Sequence, residues 1–151
     1  MASIESLKKK YQSLDNRIQI QQENVVDSEC LLVFDYEYNG TGIEISIDTQ
    51  EFTALCPWTG QPDFGILSIN YVPNKVCIEL KSLKYYLMSY RNVSIVQEHA
   101  ANKIMKDITR ICLPKSMTID LDYQIRGGLH TSVKVNYKKT RQIFRTLSKP
   151  E

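Results

Sequence analysis

Apolar residues recur along the chain at two spacings, and the switches between them divide it into strands, then helices, then strands. Residues 31–38 and 42–48 alternate with a period of two, the mark of β-strands with one buried face. Asn39-Gly40 between them is turn chemistry, so the pair predicts a hairpin. Residues 56–63 (CPWTGQPD) concentrate proline and glycine and predict an ordered loop that feeds a strand over 64–72. Another short strand is expected over 75–79, after the turn at Pro73-Asn74. The period then lengthens. Leu80, Leu83, Tyr86, Leu87 and Tyr90 recur at helical spacing, as do Val96, Ala100, Ile104, Ile108 and Ile111. Two amphipathic helices are expected, broken near Asn92 and stopped by Pro114. Residues 117–125 and 129–137 alternate again around Arg126-Gly127-Gly128 and predict a closing hairpin. The order fits an α+β architecture, an antiparallel sheet with two helices on one face. Residues 3–14 (SIESLKKKYQSL) read as a short basic helix or a free arm, with no function attached.

With 151 residues, 42% of them hydrophobic, the chain predicts a single domain over 1–151, with an N-terminal arm over 1–28 and a core over about 29–140. A formal net charge of +2 is too balanced for an electrostatic nucleic-acid binder, so no direct nucleic-acid partner is expected. No apolar run approaches the roughly 20 residues that span a bilayer; a soluble, cytoplasmic protein away from membranes is expected. Cys30, Cys56, Cys77 and Cys112 form no C-x-x-C pair and read as reduced thiols. His99 and His130 are the only histidines, too few for the usual zinc constellations, so no metal is expected. A small open sheet leaves edges and an uncovered face, which favours a homo-oligomer.

Cys56 opens the Pro/Gly-rich loop, where a thiol is held rigidly within reach of a ligand, whereas the other three cysteines lie in apolar strand or helix patterns. The alternative for any one cysteine is a small buried hydrophobe. Asp63 follows seven residues later; its carboxyl either returns near the sulfur to move a proton or caps a turn. Lys81 and Lys84, with Tyr85 beside them, stand at a strand-to-helix junction, as a phosphate site or as a solvated helix face. The glycines after Arg126 serve a tight hairpin, and they also let a ligand approach the backbone while Arg126 offers a bidentate fork.

Together, EFTALCPWTGQPDFG (51–65), IELKSLKYYL (78–87), SYRN (89–92), Glu98 and IRGG (125–128) resemble the unimodular NADPH-dependent 7-cyano-7-deazaguanine reductases, the QueF-type nitrile reductases of queuosine biosynthesis. The likeness runs over about residues 48–137. It implies a tunnelling fold (T-fold) assembled into a ring, with active sites between subunits and two pentamers stacked as a decamer. It implies Cys56 as the nucleophile of a covalent thioimide and Asp63 as proton donor, with NADPH delivering hydride twice to give 7-aminomethyl-7-deazaguanine. Ile78, Glu79, Leu80, Gln97 and Glu98 would surround the base. Lys81, Ser82, Lys84, Tyr85, Arg126, Gly127 and Gly128 would hold the cofactor, and the chain has no G-x-G-x-x-G for a Rossmann-type site. One departure is Val96-Gln97-Glu98 where the family commonly has Phe-His-Glu. Gln97 carries no positive charge, and on a helix His99 points about 200° away from it. Leu80 likewise replaces a small polar residue of some relatives. Two other readings stay open: a QueF-like amidinotransferase acting on deazaguanine in tRNA, and a non-catalytic purine-binding ring.

Overall fold

Alternation builds the sheet, and its inward positions can be followed residue by residue. The computed structural model describes residues 4–8, 19–38, 40 and 42–139. In chain order the elements are β1 (Val33–Asp35), β2 (Ile45–Leu55), β3 (Pro62–Val72), β4 (Val76–Ile78), α1 (Leu80–Met88), α2 (Gln97–Cys112), β5 (Ser116–Tyr123) and β6 (Ser132–Lys138), with two short 3-10 turns ahead of β1. β2, β3, β5 and β6 form an antiparallel sheet in that order. On one face Asp63, Gly65, Leu67, Ile69 and Tyr71 of β3 lie beside Met117, Ile119, Leu121 and Tyr123 of β5, all buried. α1 packs over β2, and α2 crosses β5 and β6. Ala100, Ile104, Ile108 and Cys112, one per turn of α2, face the sheet, as its period requires. Leu113 takes the left-handed conformation (φ 41°) that closes α2, just before Pro114.

The opposite face is polar and laddered. Lys134 Nζ lies 2.8 Å from Asp120 of the neighbouring strand, and Ser132 donates to the same carboxylate at 2.9 Å. Solvent-tolerant pairs of this kind let a sheet leave one face without helices.

The predicted hairpin over 31–48 does not form. β1 pairs with β4 in a separate two-stranded sheet, Phe34 opposite Cys77, and β2 runs on past Asp48 to Leu55 with a register shift between Thr49 and Phe52. Alternation reports which face of a strand is covered and not which strand lies beside it. Here the pairing is set by tertiary bonds: the Glu79 N–H donates to the Leu32 carbonyl at 3.0 Å and the Leu32 N–H to Ser82 Oγ at 2.9 Å. The predicted strands after Cys56, both helices and the closing hairpin form as expected. Of the expected N-terminal helix, residues 4–8 are helical, and 9–14 lie outside the described residues. Val26, on the arm side of residue 28, is buried in the core.

A polar network ties the helices together beneath this core. The Tyr86 hydroxyl donates to Asp107 at 2.9 Å and lies 2.8 Å from the Tyr90 hydroxyl, and Lys103 reaches the same carboxylate oxygen at 3.0 Å. Both tyrosines are fully buried; burial first, and the nearby hydroxyl and carboxylate second, push the Tyr86 phenol far up, so it serves as a neutral donor. Asp107→Ala strands that donor and should cost about 1–3 kcal/mol. In urea unfolding the midpoint should fall with the slope unchanged, and Asp107→Asn, which keeps an acceptor, should lose less.

Candidate active site

The loop that carries Cys56 is a closed turn built by its own sequence. The Cys56 N–H donates to the Gln61 carbonyl at 2.9 Å and the Gly60 N–H to the Cys56 carbonyl at 2.8 Å. Pro57 restricts the entry, and Gly60 takes the left-handed φ of 66° that closes it. Cys56 is 7% exposed. Burial pushes its thiol up, but hydrogen bonds from the Thr59 hydroxyl, the Thr59 and Trp58 backbone N–H groups and Arg126 outweigh that and hold it below the usual cysteine range.

Asp63 stands on the first inward position of β3, opposite Ala54, and is 4% exposed. Its partner comes from the turn that follows β5: Arg126 donates through Nη1 to Asp63 Oδ1 and through Nη2 to Thr59 Oγ1 at 3.3 Å. The β3–β5 register, which sets Gly65 against Tyr123, carries the 126–129 turn to this spot. That turn closes by reciprocal bonds between Arg126 and Leu129 at 3.0 and 2.9 Å. Gly127 and Gly128 occupy it at φ 56° and 81°, with open space where a side chain would be; the backbone conformation alone demands glycine. Arg126 bonds Asp63 directly, and the Cys56 sulfur and the Asp63 carboxylate nearby raise the guanidinium further above its already high range.

The N-terminus of α2 joins the same cluster. The Leu55 N–H donates to the Val93 carbonyl at 2.9 Å and the Ile95 N–H to the Leu55 carbonyl at 3.1 Å, which brings the start of α2 alongside Cys56. Tyr123 donates to the Gln97 carbonyl at 3.4 Å. Burial, then the charges of Asp63 and Glu98, push its phenol up and keep it neutral. Glu98 is exposed in the first turn of α2.

The remaining expected residues form a second group at the start of α1. Glu79 caps that helix, accepting from the Lys81 and Ser82 N–H groups at 2.9 and 2.7 Å, and these bonds hold its carboxyl below the usual range. The helix-end amides are thereby taken, so an anion here would meet the lysine ammonium groups. Ser82 is buried, donating to the Glu79 carbonyl at 2.8 Å. The Ile78 N–H donates to the Tyr71 hydroxyl at 3.1 Å. Leu80, Lys81, Lys84 and Tyr85 are exposed, and Lys84 pairs with Glu51 at 3.5 Å. A cleft of about 260 Å³ runs between β2 and α1, lined by Ile47, Phe52, Leu80, Lys84, Met88 and Arg91 among others. Lys84 of α1 lies beside Glu51 in β2, and Ser94, beyond α1, lies beside Leu55 at the strand's end. Within one protomer Cys56, Asp63, Arg126, Gln97 and Glu98 come together, and Ile78 to Tyr85 stand apart. Thr59 and Tyr123 complete the first group without having been singled out in the sequence. Thr59 was signalled only as a hydroxyl inside the tight turn, and Tyr123 by sharing the inward face with Asp63.

The profile of a family described as QueF-like protein matches residues 62–142, which begins six positions after Cys56. The NADPH-dependent 7-cyano-7-deazaguanine reductase of Chlorobaculum tepidum is 44% identical over 117 residues, 78% of this chain and 100% of that protein. The chain belongs to the QueF-like family. The enzyme of the same name from Thermoanaerobacter pseudethanolicus is 47% identical over 116 residues, 77% of this chain and 87% of its own length. Among solved structures, the apo form of the archaeosine synthase QueF-Like superposes with a TM-score of 0.61 at 17% identity, covering 66% of this chain and 98% of the other. The α+β tunnelling fold expected from the resemblance is thus the fold observed. Among the described residues no helix is long and apolar enough to cross a membrane.

Proposed function

We propose that this family member is an NADPH-dependent oxidoreductase that reduces the nitrile of 7-cyano-7-deazaguanine to the primary amine, in queuosine biosynthesis. The observation that carries the reading is the meeting of Cys56, Asp63 and Arg126 at one end of the sheet, in a chain nearly half identical to reductases over their whole or almost whole length. The Cys56 sulfur attacks the nitrile carbon as its thiol proton passes to the Asp63 carboxylate: the S–C bond forms, one C–N π pair moves to nitrogen, and nitrogen takes that proton from Asp63, giving a thioimide. Asp63 Oδ1 is engaged by Arg126, which leaves Oδ2 to carry that proton. NADPH, when bound, would supply hydride to the same carbon twice, with a proton to nitrogen for each. After the first delivery the C–S bond breaks, its electron pair returning to Cys56 as the C=N bond re-forms, and the second delivery completes the amine. Covalent capture keeps the substrate in the site up to that release.

Glu98, exposed at the start of α2 beside Tyr123, accepts hydrogen bonds from the amino and ring N–H edge of the base, and Gln97 stands next to it. The exposed Lys81 and Lys84 ammonium groups suit the cofactor's phosphates, with Tyr85 beside them. This group stands at the start of α1 and the nucleophile just past the end of β2, and a neighbouring copy supplies the half of the site that one protomer lacks. The β2 and β6 edges of the sheet are open to pair between copies into a ring, stacked as a decamer. Reduced thiol chemistry of this kind belongs in the cytoplasm.

The test is to mix the protein with 7-cyano-7-deazaguanine and NADPH, follow the cofactor's absorbance and weigh the product. Substrate-dependent oxidation with the aminomethyl product is expected. A covalent adduct without oxidation would overturn the reductase in favour of an amidinotransferase, and binding of the base with neither would leave a non-catalytic ring.

A further inference from the structure

The N-terminal segment before Val26 carries no expected function, yet its backbone is the outer member of a row that ends at the nucleophile. The Gln21 N–H donates to the Asn92 carbonyl at 2.8 Å, and the Ser94 N–H donates to the Gln21 carbonyl at 2.8 Å. Gln21 thereby bridges Val93 in parallel, and the same 93–95 segment holds Leu55 on its other side. Leu55 is the residue before Cys56. One residue earlier in the segment, Ile20 reaches the loop directly: a Cβ built on Gly60 would lie 3.3 Å from Ile20 Cδ1. Gly60 is the left-handed residue that closes the Cys56 turn. Beyond Gln21 the segment is anchored by buried Val26 and by the Asp27 N–H, which donates to Ser89 Oγ at 3.1 Å.

We propose that Ile20 and Gln21 form a strap that positions the nucleophile loop, Gln21 by clamping the 92–95 segment against Leu55 and Ile20 by pressing its methyl onto Gly60. The inference rests on Cys56 being the nucleophile. Ile20 is 51% exposed, so its side chain contributes little to global stability and its effect is local. What the loop's shape secures is the placing of the Thr59 hydroxyl and of the Trp58 and Thr59 N–H groups near the sulfur, where they bring its pKa down. A turn free to open at Gly60 loses that alignment, and hydrogen bonds weaken steeply with misalignment.

The experiment is iodoacetamide alkylation of the full chain across pH, read at each cysteine by peptide mass, for the wild type, Ile20→Ala and Ile20→Val. Ile20→Ala should move the midpoint of Cys56 alkylation upward by about one pH unit, a tenfold loss of thiolate at neutral pH. Ile20→Val, which loses the Cδ1 methyl that meets Gly60 but keeps the branch at Cβ, should move the midpoint the same way by a smaller step. In turnover, Ile20→Ala should lower kcat with KM unchanged. A Cys56 midpoint unchanged in Ile20→Ala overturns the proposal. So does new labelling of buried Cys77 and Cys112, which would mean general loosening. The alkylation arm needs no turnover, so a protein that fails to reduce the nitrile would sink the functional reading and still test the strap.

Discussion

Cys56→Ala should reduce nitrile reduction to background, a fall of roughly 10⁴-fold or more, because no other group in the cluster can form the bond to carbon. The matching mass experiment uses the substrate without NADPH: the wild type should gain the mass of one 7-cyano-7-deazaguanine, and Cys56→Ala should gain none. Variants at Cys30, Cys77 and Cys112 should keep the adduct. Burial pushes the Cys112 thiol up to about 12, and Cys30 is raised by burial and by Asp27, so neither supplies thiolate near neutrality. At Cys56, by contrast, Thr59, two backbone N–H groups and Arg126 stabilise the thiolate and hold the pKa below the usual cysteine range. Below its pKa the sulfur holds its proton and attack slows, so the acid limb of the pH–rate profile should follow the Cys56 alkylation midpoint. Base binding, measured by calorimetry, should survive in Cys56→Ala. An adduct that persists in that variant would end the assignment of the nucleophile.

Residues close in sequence declared their structure, and residues brought together by strand register did not. The closing hairpin, the break between the helices and the Pro/Gly turn at Cys56 were legible because each is decided within a few positions: Gly127-Gly128 by two left-handed φ values, α2 by one buried residue per turn. β1 was misassigned because Asn39-Gly40 permits a hairpin without requiring one, and the competing partner, β4, wins through Ser82 and Glu79, some fifty residues away. In the site, the Cys56–Asp63 proximity was readable from a short, stiff loop. The place of Arg126 was not: the sequence offered it as a free cation for phosphate, whereas the fold stands it between Asp63 and Thr59. That pairing spans sixty-three positions and exists only because β3 and β5 are neighbours.

Asp63→Asn should slow turnover by about 10²–10⁴-fold while leaving base affinity unchanged, the loss typical of removing a positioned proton donor. Asparagine is nearly the same shape and keeps an amide oxygen for Arg126, so the buried contact survives and the guanidinium is not left without a partner. What disappears is the transferable proton. Attack on the nitrile places charge on nitrogen as the S–C bond forms, and without a donor that charge must be met by water, which the buried setting of Asp63, 4% exposed, largely excludes. Adduct formation and full turnover should therefore slow together, since both need nitrogen protonated. Arg126→Ala is the companion variant. It unpairs a buried carboxylate and removes one of the groups that hold the Cys56 thiol down, so it should raise the alkylation midpoint at Cys56 as well as slow the reaction. Single-turnover rates of adduct formation separate the two roles: a rate in Asp63→Asn within threefold of the wild type would move the proton donor to another group and leave Asp63 as the anchor of Arg126.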